Sequence, residues 1–233
     1  MKGKAIYLAL SVCLTSSMLF AARPLDTDDA GTVEKGKSEA EVSFDYCQYR
    51  PDGTGQAPGL AIKHGLTDLL DLGLGFSHGT DKDADGNTVG WEMSPLEMGF
   101  KLSLLKEQPK LPDLSVSAGF QTGSAGYGIN LIFSRCYGSL GLHYNLGYNS
   151  SGEALVKGSI GTSLAAEYTF TEKYRICAEL NGEMIDDRAE VIGNSGLVGG
   201  SVDLGFLAWD LGIRIHDQRG PKTTITTGIT AGF

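Results

Sequence analysis

The sequence predicts an all-β chain, an antiparallel transmembrane β-barrel of the outer-membrane type with about twelve strands. Three observations carry that prediction. The chain ends on an alternating strand that stops at an aromatic residue, Phe233. Apolar and polar residues keep a two-residue period through most of the chain, and no stretch holds a helical period for three turns. The connections alternate tighter turns (near residues 66, 106, 137, 171 and 209) with loops that are longer on average (near 52, 85, 124, 151, 190 and 218). An even-numbered meander puts each set at one end, as transmembrane barrels do.

The first residues set the compartment. Lys2 and Lys4 precede the apolar run Ala5 to Leu14 and a small-residue stretch to Ala22, the layout of a secretory signal peptide over residues 1–22. Cleavage after Ser17 is the alternative. The run is too short for a membrane-spanning helix. Removing it takes away two lysines, so the formal charge of −9 becomes −9 − 2 = −11. With no cluster of Lys and Arg, the mature chain excludes a nucleic-acid partner. Cys47, Cys136 and Cys177 remain, without metal-ligand spacing, and read as isolated small residues in strands.

Residues 23–36 are polar and without period, and are expected to form a periplasmic N-terminal segment. Residues 37–233 are expected to form the barrel. In its first strand Ala40, Val42, Phe44 and Tyr46 alternate with Glu39, Glu41, Ser43 and Asp45. Carboxylates facing an apolar core would be ruinous, whereas facing water they are harmless. Further alternating strands follow over Leu60 to Lys63, Leu70 to Ser77, Leu96 to Leu104, Leu114 to Phe120, Tyr127 to Phe133, Leu140 to Tyr148, Val156 to Tyr168, Ile176 to Leu180, Val198 to Ala208 and Leu211 to Ile215. A polar loop is expected from His78 to Ser94. The closing strand alternates Ile225, Thr227, Ile229, Ala231 and Phe233 with Thr224, Thr226, Gly228, Thr230 and Gly232, and its terminal Phe233 is the membrane-insertion signature addressed to the barrel-assembly machinery.

Spanning strands must close into a ring, because lipid offers no partner to a sheet edge. The inward parity then makes a candidate lumen lining of Glu39, Glu41, Asp45, Lys63, Asp71, Glu97, Lys101, Lys157, Glu167, Arg175, Glu179, Glu183, Asp203 and Arg214. Such mixed charges either line a water path or pair across the lumen. Tyr46, Tyr144, Tyr148, Tyr168 and Trp209 sit near strand ends, as interfacial girdles require. Arg135 falls on the outward parity near a turn and has to snorkel toward the interface.

In one loop, Asp81, Asp83 and Asp85, Gly86, Asn87 and Glu92 match the spacing of an EF-hand-type calcium loop, whose carboxylates converge on a hard cation. No helices flank it, and an acidic solvated loop is the competing reading. Catalysis lacks a motif: there is no GxSxG, and His143, inward beside Asn145 and Ser139, is a lone histidine. The chain is read as a non-enzyme without catalytic residues.

The start Ala22-Arg-Pro-Leu-Asp-Thr-Asp-Asp-Ala-Gly-Thr-Val-Glu-Lys-Gly36, the turn Lys63-His-Gly-Leu-Thr-Asp68 and the ending Thr227-Gly-Ile-Thr-Ala-Gly-Phe233 resemble the outer-membrane β-barrel family labelled a transporter of the meta-pathway of phenol degradation. The resemblance covers essentially the whole mature chain. It implies a bacterial outer-membrane channel or transporter for small molecules, among them aromatic or other hydrophobic compounds. It supplies no site residues. The expectation is thus a channel in the bacterial outer membrane with both termini periplasmic, lipid around it and no cofactor beyond calcium in the 81–92 loop. The alternative is a closed barrel whose external loops bind calcium or envelope partners, and a lipid-modifying enzyme is third.

Overall fold

The computed structural model describes residues 23–49, 53–83, 87–106, 108–122, 126–150, 152, 158–185, 190–217 and 221–233. The expected signal peptide, Lys157 and Asp85 lie outside them. Thirteen strands follow in order: β1 (Ser38–Tyr49), β2 (Thr54–Thr67), β3 (Leu70–Lys82), β4 (Thr88–Met93), β5 (Glu97–Leu105), β6 (Asp113–Gln121) and β7 (Tyr127–Tyr137). The others are β8 (Leu140–Ser150), β9 (Ser159–Thr171), β10 (Tyr174–Ile185), β11 (Glu190–Asp203), β12 (Ala208–His216) and β13 (Pro221–Gly232). Apart from β4 and β5, which both pair with β3, consecutive strands pair antiparallel, and β13 returns to pair with β1, so the sheet closes on itself. The ring has twelve staves, because β4 and β5 share one. β4 pairs with the far half of β3 (His78 opposite Met93) and β5 with its near half (Gly75 opposite Glu97). Ser94 to Leu96, containing Pro95, separates the two pieces. Proline cannot donate to the ladder, so the break falls there.

The closing strand does what its alternation requires. Ile229 pairs with Val42 and Ile225 with Tyr46 on the outer face, while Thr226 meets Asp45 on the inner one. Phe233 completes the seam: its N–H donates to Ser38 C=O at 2.9 Å and its C=O accepts from Ser38 N–H at 2.7 Å.

The burial pattern inverts that of a soluble protein. Outward Val42, Leu180 and Val198 are 56%, 66% and 64% exposed, whereas inward Asp71 and Glu179 are 1% and 2% exposed. A soluble monomer rarely shows so continuous an apolar surface, and a bilayer covers it. Arg135 behaves as a snorkelling residue must: it donates to Pro109 C=O at 2.8 Å in the turn after β5 and lies 5.2 Å from the Tyr137 ring centroid. Tyr168 and Phe170 stack edge to face at the end that holds both termini.

Two expectations of the strand map change. The turn placed near residue 209 lies at 204–207, with Gly205 at φ 91°, and β12 begins at Ala208. Apolar Leu204, Phe206 and Leu207 continue the strand pattern through that turn, which hid it. The polar stretch from His78 to Ser94 holds the β3–β4 hairpin instead of a free loop; past the apolar belt, strands no longer need an alternating sequence.

Candidate functional site

The lumen is not empty. Residues 23–33 run along its inner wall and touch nearly every stave in turn. Val33 N–H donates to Asp71 Oδ2 on β3 at 2.9 Å, and Lys101 Nζ on β5 donates to Asp29 C=O at 2.9 Å. Ala30 is held from both sides: its N–H donates to Ser134 Oγ on β7 at 2.8 Å, and its C=O accepts from Ser115 Oγ on β6 at 2.6 Å. On β8, Asn145 accepts from Asp28 N–H at 2.7 Å and donates to Asp28 C=O at 3.0 Å. On β10, Glu179 Oε2 accepts from the N–H groups of Asp26 (2.8 Å) and Thr27 (2.6 Å). Arg23 then reaches Asp210 Oδ2 on β12 at 3.4 Å and Glu41 on β1 at 3.7 Å, and donates to Thr226 Oγ1 on β13 at 2.6 Å.

A polyamide chain with no secondary structure carries unpaired N–H and C=O groups, and burying them uncompensated costs about 1–3 kcal/mol each. The inward polar residues supply the compensation. They are themselves held by ion pairs: Arg214 bridges Glu179 (2.7 Å) and Asp26 (2.8 Å), and Lys63 pairs with Glu39 at 2.8 Å. Arg175 pairs with Glu167 and donates to Arg23 C=O at 2.7 Å. Glycine makes room. A Cβ at Gly199 would stand 2.7 Å from Pro24 Cγ, and one at Gly228 would stand 2.5 Å from Arg23 Nε. One apolar contact completes the docking: Leu25, 2% exposed, packs with Ala165, Cys177 and Leu197.

Thr27 and Asp28 are the exceptions among the segment's polar groups. Thr27 Oγ1 and both carboxyl oxygens of Asp28 are buried without a hydrogen-bond partner among the described residues. Burial pushes this carboxyl up to about 7, against the pull of Lys101 and Lys63.

Of the residues expected to line the lumen, Glu39, Glu41, Lys63, Asp71, Lys101, Glu167, Arg175, Glu179 and Arg214 thus meet the segment or its ion pairs. Glu97 faces inward beyond it, toward the end opposite the termini; Asp45 faces inward at its edge, in register with the Thr226 that Arg23 reaches, and keeps a buried Oδ1 without a hydrogen-bond partner. Glu183 is exposed near that opposite rim and accepts from Ser159. Asp203 ends β11 and is exposed at the turn, where its carboxylate accepts from Gly205 N–H. Asp210, Ser115 and Ser134 were missed. Asp210 shares the parity of Arg214, and the misplaced turn near residue 209 hid it.

A cavity of about 290 Å3 opens beside the segment, bounded by cations Arg23, Lys63, Lys101 and Arg175 and by Asp29, Glu39, Glu41, Asp71 and Asp210. Ser134, His143 and Glu167 connect as a nucleophile, base and carboxylate would, with Ser134 Oγ 2.8 Å from His143 Nδ1 and His143 Nε2 3.2 Å from Glu167. With Nε2–H donated to the carboxylate, Nδ1 accepts from the Ser134 hydroxyl, whose oxygen accepts from Ala30 N–H. The hydroxyl is thereby committed to the segment's main chain. In the calcium-like loop, Asp83 accepts from Asn87 N–H (2.8 Å) and Nδ2 (3.2 Å), closing the hairpin; Glu92 stands on β4 opposite Gly79 and Asp81 on β3 opposite Gly90. Cys47 and Cys177 are free thiols buried in the wall.

No family model and no curated protein matches the chain. Solved structures do. An outer-membrane channel from Pseudomonas putida F1 superposes with a TM-score of 0.67 at 12% identity, covering 90% of this chain and 100% of that one. The NanC porin gives 0.60 at 7% identity over 83% of this chain and 98% of its own, and the KdgM porin 0.60 at 11% over 83% and 99%. At these identities the likeness is one of architecture: the chain has the closed twelve-stranded fold of outer-membrane barrels.

Proposed function

We propose that this protein is a gated channel of the bacterial outer membrane, closed by its own N-terminal segment and conducting small polar solutes when that segment leaves the wall. The supporting observation is the side-chain-to-backbone docking of residues 23–33 inside the ring. The apolar outer face and the channel and porin neighbours support the location. Both termini share one end, which in this reading is periplasmic, so the segment enters from the periplasm.

The resemblance to a phenol-pathway family points to an aromatic permeant. The wall supports a polar one instead: the inward groups beside the cavity are carboxylates, ammonium groups and guanidinium groups, and the apolar cluster at Leu25 is small. Transfer of an unpaired polar group against an aromatic solute is unfavourable.

The test is planar-bilayer conductance of the refolded protein and of Leu25→Asp, which puts a charge in the apolar pocket without altering the wall. The wild type is expected to be closed for most of the record, and the variant to give long-lived steps. A variant as silent as the wild type, though folded, sinks the gating reading. Selectivity of the open variant for charged over aromatic solutes in liposome swelling decides the permeant class.

A further inference from the structure

We propose that the lumen is a binding site for extended peptides, and that residues 23–33 are its tethered occupant. This rests on the gated-channel reading and adds the class of ligand. The reason is what the wall recognises. Most of the docking contacts go to main-chain atoms rather than to side chains. Asn145 pairs with both the N–H and the C=O of Asp28, the two-point contact an amide makes with a peptide unit. Glu179 accepts two successive N–H groups, and Ser134 and Ser115 take the donor and the acceptor of Ala30. Those groups occur in every peptide and in no aromatic hydrocarbon or simple ion. A wall that matches them in sequence, over several consecutive residues, fits an oligopeptide.

Side chains enter at three places and set a preference. Arg23 meets the Asp210 carboxylate, Leu25 enters the pocket of Ala165, Cys177 and Leu197, and Asp26 meets Arg214 at 2.8 Å. The favoured ligand therefore carries a cation, then an apolar side chain two residues later, then an acid next to it. The order has a direction, because donors and acceptors on the wall are fixed. A peptide of the same composition running backwards presents C=O to Glu179 and loses those bonds. Two lost hydrogen bonds of about 1 kcal/mol each correspond to more than tenfold in affinity.

The test separates the occupant from its tether. A recognition site for a sequence-specific protease is inserted after Gly36, which is exposed, and cut after the full chain has folded, so folding is not at stake. The freed segment is exchanged out and conductance recorded. Synthetic peptide Arg-Pro-Leu-Asp-Thr-Asp-Asp-Ala-Gly-Thr-Val is then added back, beside its reversed sequence and a version with Leu25→Asp. The expected result is saturable closure by the first peptide and at least about tenfold weaker closure by the other two. Barrels that conduct after exchange but are not closed by the native-order peptide, or are closed equally by the reversed one, overturn the proposal and leave the gate standing. Barrels that stay silent after the segment has demonstrably left overturn the gate and the peptide site together.

Discussion

The two halves of the lumen carry the same kind of residue and use it differently. In the half nearest the termini, Glu179, Arg214, Lys101, Asp71 and Asn145 each meet the N-terminal segment or a neighbouring charge. In the half beyond the segment, Glu97 makes no ion pair among the described residues, and Asp45, at the segment's edge in register with Thr226, exchanges no hydrogen bond with it. Parity alone put all of them inside. What separates them is whether a strip of main chain needs partners at that depth. The charged wall near the termini is therefore a docking surface first, and becomes a permeation surface only when the strip is gone.

The comparison breaks most sharply at Glu179. Its side chain accepts from Asp26 and Thr27 on one oxygen and from Arg214 and Asn181 on the other, at 2% exposure. Glu179→Gln removes the charge that Arg214 faces and places an NH2 against donors. Breaking one partner of a buried ion pair costs about 3–5 kcal/mol. The expected outcome is a channel open for most of a bilayer recording and a segment cut by protease in the folded barrel. A variant that stays closed and protected would mean that the segment is held elsewhere. Leu25→Ala comes next, at about 2–5 kcal/mol for a fully buried leucine. It should open the channel partly, without changing the selectivity of the open state.

A pH dependence follows from Asp28. Docked, its carboxyl titrates at about 7 against an ordinary 3.8, so the docked segment keeps a proton that the released one gives up. Docking is then fully favoured below 3.8, weakens as pH rises from 3.8 to about 7, and is constant above that. Open probability should climb across that window. Asp28→Asn, which holds no charge to desolvate, should flatten the Asp28 part of the climb and leave the segment more firmly docked at neutral pH. A slope unchanged in the variant would assign the dependence to another group.

The ring could be read from alternation because strand faces are a local property: Val42, Phe44 and Tyr46 point outward for reasons visible within one strand. Even Arg135 was legible, since an outward charge near a turn has one place to go. The docked segment was not legible. Residues 23–36 have no period, and Asp26 N–H finds Glu179 at a separation of 153 positions. Nor does an inward glycine announce its purpose. Gly199 and Gly228 have the look of barrel relief positions, yet the lumen-side space at each is taken by Pro24 or Arg23. The start Arg-Pro-Leu-Asp-Thr-Asp-Asp carries the information for docking, but only the assembled wall decodes it.

The smallest effect sharpens the comparison from the other side. Asp45 stands at the edge of the segment, in register with Thr226 and Ala57 across the sheet, and exchanges no hydrogen bond with it. Asp45→Asn should leave gating and protease protection nearly unchanged, because it removes no hydrogen bond or ion pair that docking uses and only lifts a repulsion from Asp26. It should nevertheless shift the reversal potential of an opened background such as Leu25→Asp toward weaker cation preference, since a carboxylate facing a narrow water path attracts cations through a field that low-dielectric walls focus. A change in open probability larger than the change in selectivity would show that the far half of the lumen also holds the segment, and the division between docking surface and permeation surface would fall.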